Sequence, residues 1–262
     1  MRPLAEMPPE AARRLEGLLF DLDDTLLSEG RLERRAYMAL CDLADAGLRL
    51  VAVTGRPSGW GEVVARQWPI HGVVAENGAV RIHREGRGLV RRESCDEAER
   101  RSRRIRLARL VERASEVVPE ARLADDVEAR RSDVAWDIGE RVRLPEDRVA
   151  ALVVEILEAG ARVTRSSVHL HASFDTEDKA HGAVVLLRER FGEDEGRALH
   201  CYGYVGDSSN DAPCFAAFRE TFGVSNVARF VQRLPVPPRW ITRSAMGEGF
   251  AELASSLLSA RA

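Results

Sequence analysis

The sequence predicts an α/β protein: a parallel-sheet core in two sequence halves, interrupted by an inserted α+β unit of roughly 90 residues. Three observations lead there. Short apolar runs each stop abruptly at a polar cluster, segments of helical period separate them, and this rhythm breaks near residue 82 and resumes near Lys179. Strands of that kind form buried parallel sheets, whose ligands bind beyond the C-terminal strand ends.

The elements follow in order. Residues 1–14, with Pro3, Pro8 and Pro9, read as a flexible lead-in. Leu18-Leu19-Phe20 is a strand that ends in Asp21-Leu22-Asp23-Asp24. Leu32, Ala36, Leu40 and Leu43 share a helical face, and Gly47 stops that helix. Leu48 to Val53 forms the second strand, ending at Thr54-Gly55-Arg56. Ser58 is placed to cap a short helix running to Trp68, and Gly72 to Ala75 forms a third strand closed by Glu76-Asn77-Gly78.

The inserted unit spans residues 82–173, leaving 15–81 and 174–262 as the core. Residues 81–109 hold eleven Arg against five acidic residues, without interleaved aromatics, which describes a solvated, salt-bridged surface and not a nucleic-acid site. Leu107, Leu110, Val111 and Ala114 then share a helix face. Val134-Ala135-Trp136 is a strand, and Pro145 opens a helix carrying Val149, Leu152, Val153, Ile156 and Leu157, stopped by Gly160. Val168, Leu170, Ala172 and Phe174 alternate with His169, His171 and Ser173, the pattern of a strand packed on one face and exposed on the other. After Lys179 come a helix to Phe191, a strand near Leu199–Val205, the turn Gly206-Asp207-Ser208-Ser209-Asn210-Asp211, a strand at Phe222-Gly223-Val224 and a last helix from about Gly249.

Composition excludes several classes of function. The chain has 262 residues, of which 45% are hydrophobic and 31% charged, enough to bury a core. Its 39 basic and 42 acidic residues leave a net charge of −3, so no chain-wide field holds nucleic acid or an anionic membrane. The four cysteines form no CxxC pair, as in a reduced cytoplasmic protein. No apolar run reaches the length of a signal or spanning segment.

The polar strand ends carry the chemistry. Asp21 and Asp23 flank Leu22, so both carboxylates can face one crevice, where two close carboxylates require a cation or a shared proton. Asp207 and Asp211 follow another strand, and oxygen ligands from two such loops suit octahedral Mg²⁺ better than zinc. Lys179 opens a helix as a point charge for phosphate, and Thr54 with its turn amides supplies neutral donors. Any one of these alone is an ordinary solvated turn. Together, each just beyond an apolar strand, they describe one site.

These residues resemble a known family. Asp21-Leu22-Asp23-Asp24-Thr25-Leu26-Leu27, Thr54-Gly55-Arg56, Glu76-Asn77-Gly78-Ala79, Lys179 and the 206–211 turn look like the four motifs of haloacid-dehalogenase-like (HAD) hydrolases, subclass IIB, the Cof-type phosphatases. The likeness runs from residue 15 to about 256 and extends to Phe222–Val227 and Gly247–Leu253. Asp24 stands where many Cof-type members have Gly, and Cys214 where Met is frequent.

The resemblance implies a Rossmannoid core with a specificity cap and a cytoplasmic, Mg²⁺-dependent phosphatase acting on a small phosphorylated metabolite, with sugar phosphates as the substrate class. Asp21 would be the nucleophile, forming an aspartyl phosphate, and Asp23 the acid and base. Asp21, the backbone carbonyl of Asp23, Asp207 and Asp211 would surround the metal, and Thr54, Gly55, Asn77 and Lys179 would bind the phosphoryl group. Proton transfer by Asp23 requires a carboxyl that keeps its proton through nearby negative charge or burial. In the cap, Arg130, Arg131, Asp133, Asp137, Glu140, His169 and His171 are the polar residues nearest strands, and Arg131, Asp133, His169 and His171 are the candidates to read the leaving group. A metal shared by His169 and His171 lacks a third ligand. The protein is expected as a monomer or homodimer without a nucleic-acid or membrane partner. A phosphomutase of the phosphomannomutase type is the alternative, and an inactive binding module a third reading.

Overall fold

Burial of alternating apolar residues sorts the chain into two sheets. The computed structural model describes residues 1–166 and 168–261. The first half contains β1 (Arg2–Pro3), α1 (Pro9–Arg13), β2 (Gly17–Phe20), α2 (Arg34–Asp45), β3 (Arg49–Val53) and α3 (Ser58–Gln67). It continues with β4 (Gly72–Ala75) and the hairpin of β5 (Val80–Glu85) and β6 (Gly88–Glu93). The insertion contributes α4 (Glu97–Val117), β7 (Arg122–Leu123), β8 (Asp133–Asp137), α5 (Glu146–Glu158), β9 (Arg162–Arg165) and β10 (His169–Ser173). The second half adds α6 (Lys179–Phe191), α7 (Glu195–Cys201), β11 (Tyr202–Gly206) and α8 (Ala212–Ala217). It ends with β12 (Glu220–Gly223), β13 (Trp240–Ile241) and α9 (Met246–Ser259). No helix among the described residues is long and apolar enough to cross a membrane.

The core sheet has the order β1-β13-β12-β11-β2-β3-β4-β5-β6. It is parallel from β1 to β4 and antiparallel only in the last two pairings. Its central parallel strands β2, β3, β4 and β11 are buried on both faces, as their apolar runs require. One face packs on α2, α3 and α9 through Leu40, Val64 and Phe250, the other on α6 and α8 through Leu186 and Phe215. β2 lies at the centre, between β11 and β3, so the polar residues after all three strands emerge side by side. The cap sheet, β7-β8-β10-β9, is antiparallel and carries α4 and α5 on one face through Leu107, Leu110, Leu152 and Ile156.

Four expectations need correction. The expected flexible lead-in over 1–14 is instead part of the core: Arg2–Pro3 pairs with Trp240–Ile241, and Leu4, Met7, Ala11 and Ala12 are buried. The three prolines sit at its turns and at the start of α1, where a missing N–H costs nothing. The insertion does not begin at residue 82, because β5 and β6 extend the core sheet; the Arg-rich composition hid a hairpin whose inner residues Val80 and Ile82 are buried. Residues 195–201 are helical and not the start of a strand, since Asp194 accepts a hydrogen bond from the Arg197 N–H and caps α7. The face of β10 that bears His169 and His171 is buried, because the core domain covers it.

One close approach fixes the start of α6. Gly78 has φ +117°, and a methyl group there would lie 2.2 Å from the carbonyl oxygen of Asp178. A methyl group on Gly182 would likewise stand 2.7 Å from the Cα of Gly78. The turn after β4 therefore touches the first turn of α6 backbone to backbone, which sets where Lys179 begins. Gly182→Ala is expected to cost about 2 kcal/mol, because backbone cannot move aside as a side chain does. Thermal denaturation checks this; an unchanged melting temperature would show that the contact relaxes freely.

Candidate active site

The centre of the site is one ammonium among carboxylates. Asp21 follows β2, and its N–H still donates to the Val205 carbonyl of β11, so the strand pairing positions it. Lys179, the first residue of α6, is 1% exposed. Its Nζ donates to Asp21 Oδ1 and to Asp211 Oδ1, each at 2.7 Å. Asp211 also accepts from the Tyr204 hydroxyl at 2.5 Å and from the N–H groups of Asp207 and Ser208 at 2.9 and 3.1 Å. Asp207 is held by Asn226 Nδ2 at 3.0 Å and more loosely by the Thr25 hydroxyl at 3.4 Å. Oxygen atoms of Asp21, Asp207 and Asp211 all lie within 4.8 Å of one another.

Charge in this pocket does not balance. Burial, only partly offset by Lys179 and reinforced by Asp211 and Asp23, pushes the Asp21 carboxyl up to about 8. Burial and the charges of Asp211, Asp21 and Asp24 push Asp207 well above the carboxylate range. For Lys179, burial works against the charge, but Asp21 and Asp211 override it and the ammonium is retained. Three buried carboxylates against one ammonium therefore fit a divalent cation, and all-oxygen donors fit a hard one. Both oxygens of Asp211 already take two hydrogen bonds each, whereas Asp21 and Asp207 are held more sparingly.

The neighbouring strand ends form a cradle. The buried Thr54 follows β3, and its Oγ1 accepts the Arg56 N–H at 3.0 Å, while its carbonyl accepts the Asn77 N–H at 3.0 Å. Asn77 Oδ1 accepts from Asn210 Nδ2 at 3.4 Å, linking this cradle to the acidic turn. A methyl group on Gly55 would stand 3.2 Å from Asn77 and 3.4 Å from His171 Nε2, so the cap reaches the cradle directly. Asp21, Asp23, Gly55, Ser208 and Asn210 line one small pocket with His169 and His171 above them.

Asp23 departs from expectation. Beside the neighbouring Asp21 it has Arg56, whose Nε and Nη2 lie 2.6 to 3.0 Å from its oxygens. The guanidinium in turn lies over the Trp60 ring at 4.3 Å. Nothing in the sequence singles out this pair, though Trp60 stands four positions after Arg56.

The cap residues divide. Asp133 Oδ2 lies 2.9 Å from His171 Nδ1, and Arg130 donates both to Asp133 and to the Gly55 carbonyl, the latter at 2.9 Å. Burial lowers the tendency of His171 to protonate, against the opposing pull of Asp133. Burial would raise Asp133, but Arg130 and His171 outweigh it and hold the carboxyl below its usual range. His169 Nε2 lies 2.9 Å from Glu140. Two candidates turn away from the site: the Arg131 side chain pairs with Glu93, and Asp137 accepts the N–H groups of residues 139–142.

Glu76 was invisible as a functional residue. Its buried carboxylate accepts from the N–H of Ser58, at the start of α3, and from the N–H groups of Arg131 and Ser132 and the Ser132 hydroxyl in the cap. It thus takes the capping role expected of Ser58 and clasps the cap to the core. Burial, then the charge of Asp133, raises its carboxyl, and the hydrogen bonds from Ser132 and Ser58 work in the opposite direction. Ser209 adds a further contact, its hydroxyl donating to the Arg165 carbonyl at 2.9 Å.

Comparison with known proteins agrees with the motifs. The family model for haloacid dehalogenase-like hydrolases matches residues 18–99, which include Asp21, Asp23, Thr54 and Asn77. No curated protein matches the chain. Among solved structures, Thermoplasma acidophilum 0175 is 18% identical with a TM-score of 0.72, covering 93% of this chain and 98% of that one. A haloacid dehalogenase-like hydrolase from Bacteroides thetaiotaomicron is 17% identical, with a TM-score of 0.66 over 92% and 98% of the two chains. The sucrose-phosphatase of Synechocystis sp. PCC6803, solved with sucrose and phosphate, is 15% identical, with a TM-score of 0.65 over 93% and 98%. At these identities the likeness is one of fold, and it bears out the expected class: a HAD-like α/β core with an inserted cap.

The clasp leads to a measurable expectation. Glu76→Gln keeps the shape but sets an amide NH₂ against the donors of one side, Ser58 and Arg131 or Arg131 and Ser132, leaving at least one unmet at a cost of about 1–3 kcal/mol. Amide exchange at Arg131 and Ser132 is expected to rise about tenfold or more, with little change in the core strands. Unchanged exchange at those two amides would remove Glu76 from the clasp.

Proposed function

We propose that the chain, haloacid dehalogenase-like in fold and over residues 18–99, is a Mg²⁺-dependent phosphatase that hydrolyses a phosphomonoester of a small metabolite, a sugar phosphate by class. The observation that carries this reading is the Lys179 ammonium buried between Asp21 and Asp211 at the centre of the sheet, with Asp207 alongside. The sucrose and phosphate bound by the Synechocystis phosphatase of like fold support the sugar class.

In this reading the chain's own groups do the following. Thr54, Gly55 and Asn77 bind the oxygens of the transferring group through neutral donors, and Lys179 neutralises part of its charge. Lys179 holds Asp21 by Oδ1, so Oδ2 is the oxygen that attacks phosphorus, forming an aspartyl phosphate as the ester oxygen departs. Asp21, Asp207 and the Asp23 carbonyl would hold Mg²⁺, which when bound would supply positive charge to offset the remaining negative charge of the phosphate. Asp211 acts through others, fixing Lys179 and the 207–208 turn. Asp23, beside Asp21 and paired with Arg56, is the residue placed for the proton relay. It takes the proton of the water that cleaves the aspartyl phosphate and delivers it to the next leaving group. The docked cap excludes bulk water meanwhile.

Purified protein is expected to release phosphate from para-nitrophenyl phosphate with MgCl₂ and to stop when EDTA is added. Asp21→Asn, folded by circular dichroism, should lose on the order of a thousandfold or more in turnover. Wild-type turnover in that variant would remove Asp21 from the nucleophile's role.

A further inference from the structure

Beside Asp23 a cavity of about 500 Å³ opens between core and cap. This volume lies in the range of small-molecule sites. Its lining includes Asp23, Asp24 and Glu29 from the loop after β2, Arg56 from the turn after β3, Glu140 from the cap and Met246 from the start of α9. Among the described lining residues Asp23, Glu29 and Glu140 share one guanidinium, Arg56. That guanidinium is already engaged by Asp23 and stacked on Trp60. Any second phosphate or carboxylate entering here meets Glu29 and Glu140, and among the described lining residues the one guanidinium is Arg56, whose charge is already paired with Asp23. Hydroxyl groups find acceptors in the same carboxylates, and Met246 offers an apolar surface to a carbon skeleton.

Resting on the phosphatase reading above, we propose that this cavity receives the leaving group, that the leaving group is a neutral polyhydroxyl compound without a second acidic function, and that Glu29 and Glu140 enforce that exclusion. The two residues approach from opposite sides, Glu29 from the core and Glu140 from the cap, where His169 Nε2 steadies it at 2.9 Å. Specificity is then a matter of repulsion as much as of fit.

Glycerol 3-phosphate and 3-phosphoglycerate test this, since they differ only in a hydroxymethyl group against a carboxylate. Fructose 6-phosphate and fructose 1,6-bisphosphate form a second pair, and para-nitrophenyl phosphate reports phosphatase activity as such. Within one preparation, kcat/KM is expected to favour the neutral member of each pair by about tenfold or more. Glu29→Lys and Glu140→Lys should each shrink that ratio by about threefold or more. If para-nitrophenyl phosphate is hydrolysed but the acidic members are turned over as well as the neutral ones, the exclusion is overturned and the phosphatase reading stands. A preference that neither substitution moves overturns the assignment to Glu29 and Glu140. Absence of hydrolysis of every ester, para-nitrophenyl phosphate included, overturns the phosphatase reading and this inference with it.

Discussion

The Lys179 ammonium, buried between Asp21 and Asp211, is the interaction on which the rest of the structure depends. An ammonium out of water is costly unless it is paired and hydrogen-bonded, and the two partners here come from positions 158 and 32 residues away. They meet only if β2 lies beside β11 and α6 starts at the right height over the sheet. The first condition is met by the parallel pairing of Leu18 to Phe20 with Gly203 to Val205, the second by the contact of Gly78 with Asp178 and Gly182. The pair is thus a constraint on topology as well as a feature of the site.

Its surplus of negative charge explains why the surroundings are so fully hydrogen-bonded. Asp211 spends its four bonds on Lys179, Tyr204 and two backbone amides, which fixes the turn that carries Asp207. Asp207 is left with Asn226 as its chief partner, and Asn226 also accepts the Met246 N–H and donates to the Asp24 carbonyl. One asparagine therefore ties the acidic turn to the β2 loop and to α9. A group held this way keeps its geometry when charge in the pocket changes, which preorganised electrostatic catalysis requires.

What the sequence made legible follows from the range of each interaction. The strand ends were readable because an apolar run and the polar cluster that stops it are neighbours in the chain. Asp21, Thr54, Asn77 and Asp207 were therefore legible as candidates, and the sheet brings them to one side, where Lys179 at the start of α6 meets Asp21. Residues whose partners lie far off were not: Glu76 looks like a turn residue until the cap amides at 131 and 132 are seen on its oxygens, and Arg56 looks like part of a motif until it is seen on Asp23. The β10 face misled for the same reason. Alternation reports that His169 and His171 point away from the cap core, but not that another domain covers them. The β5–β6 hairpin and the ordered N-terminus show the complementary failure, where composition outweighed a short apolar pattern.

Arg56 links chemistry and selectivity more tightly than any other residue here. Its backbone N–H donates to Thr54 in the cradle, its side chain grips Asp23 and lines the open cavity, and its plane rests on Trp60. Burial would weaken its charge, but Asp23 more than restores it, so the guanidinium persists in place. The Nε and Nη2 of Arg56 are committed by their fork geometry to Asp23, so its charge is already balanced where it lines the cavity. In the proposed reading the relay by Asp23 and the rejection of acidic leaving groups have one physical origin: the guanidinium that lines the cavity is paired with Asp23, and Glu29 and Glu140 face the same cavity.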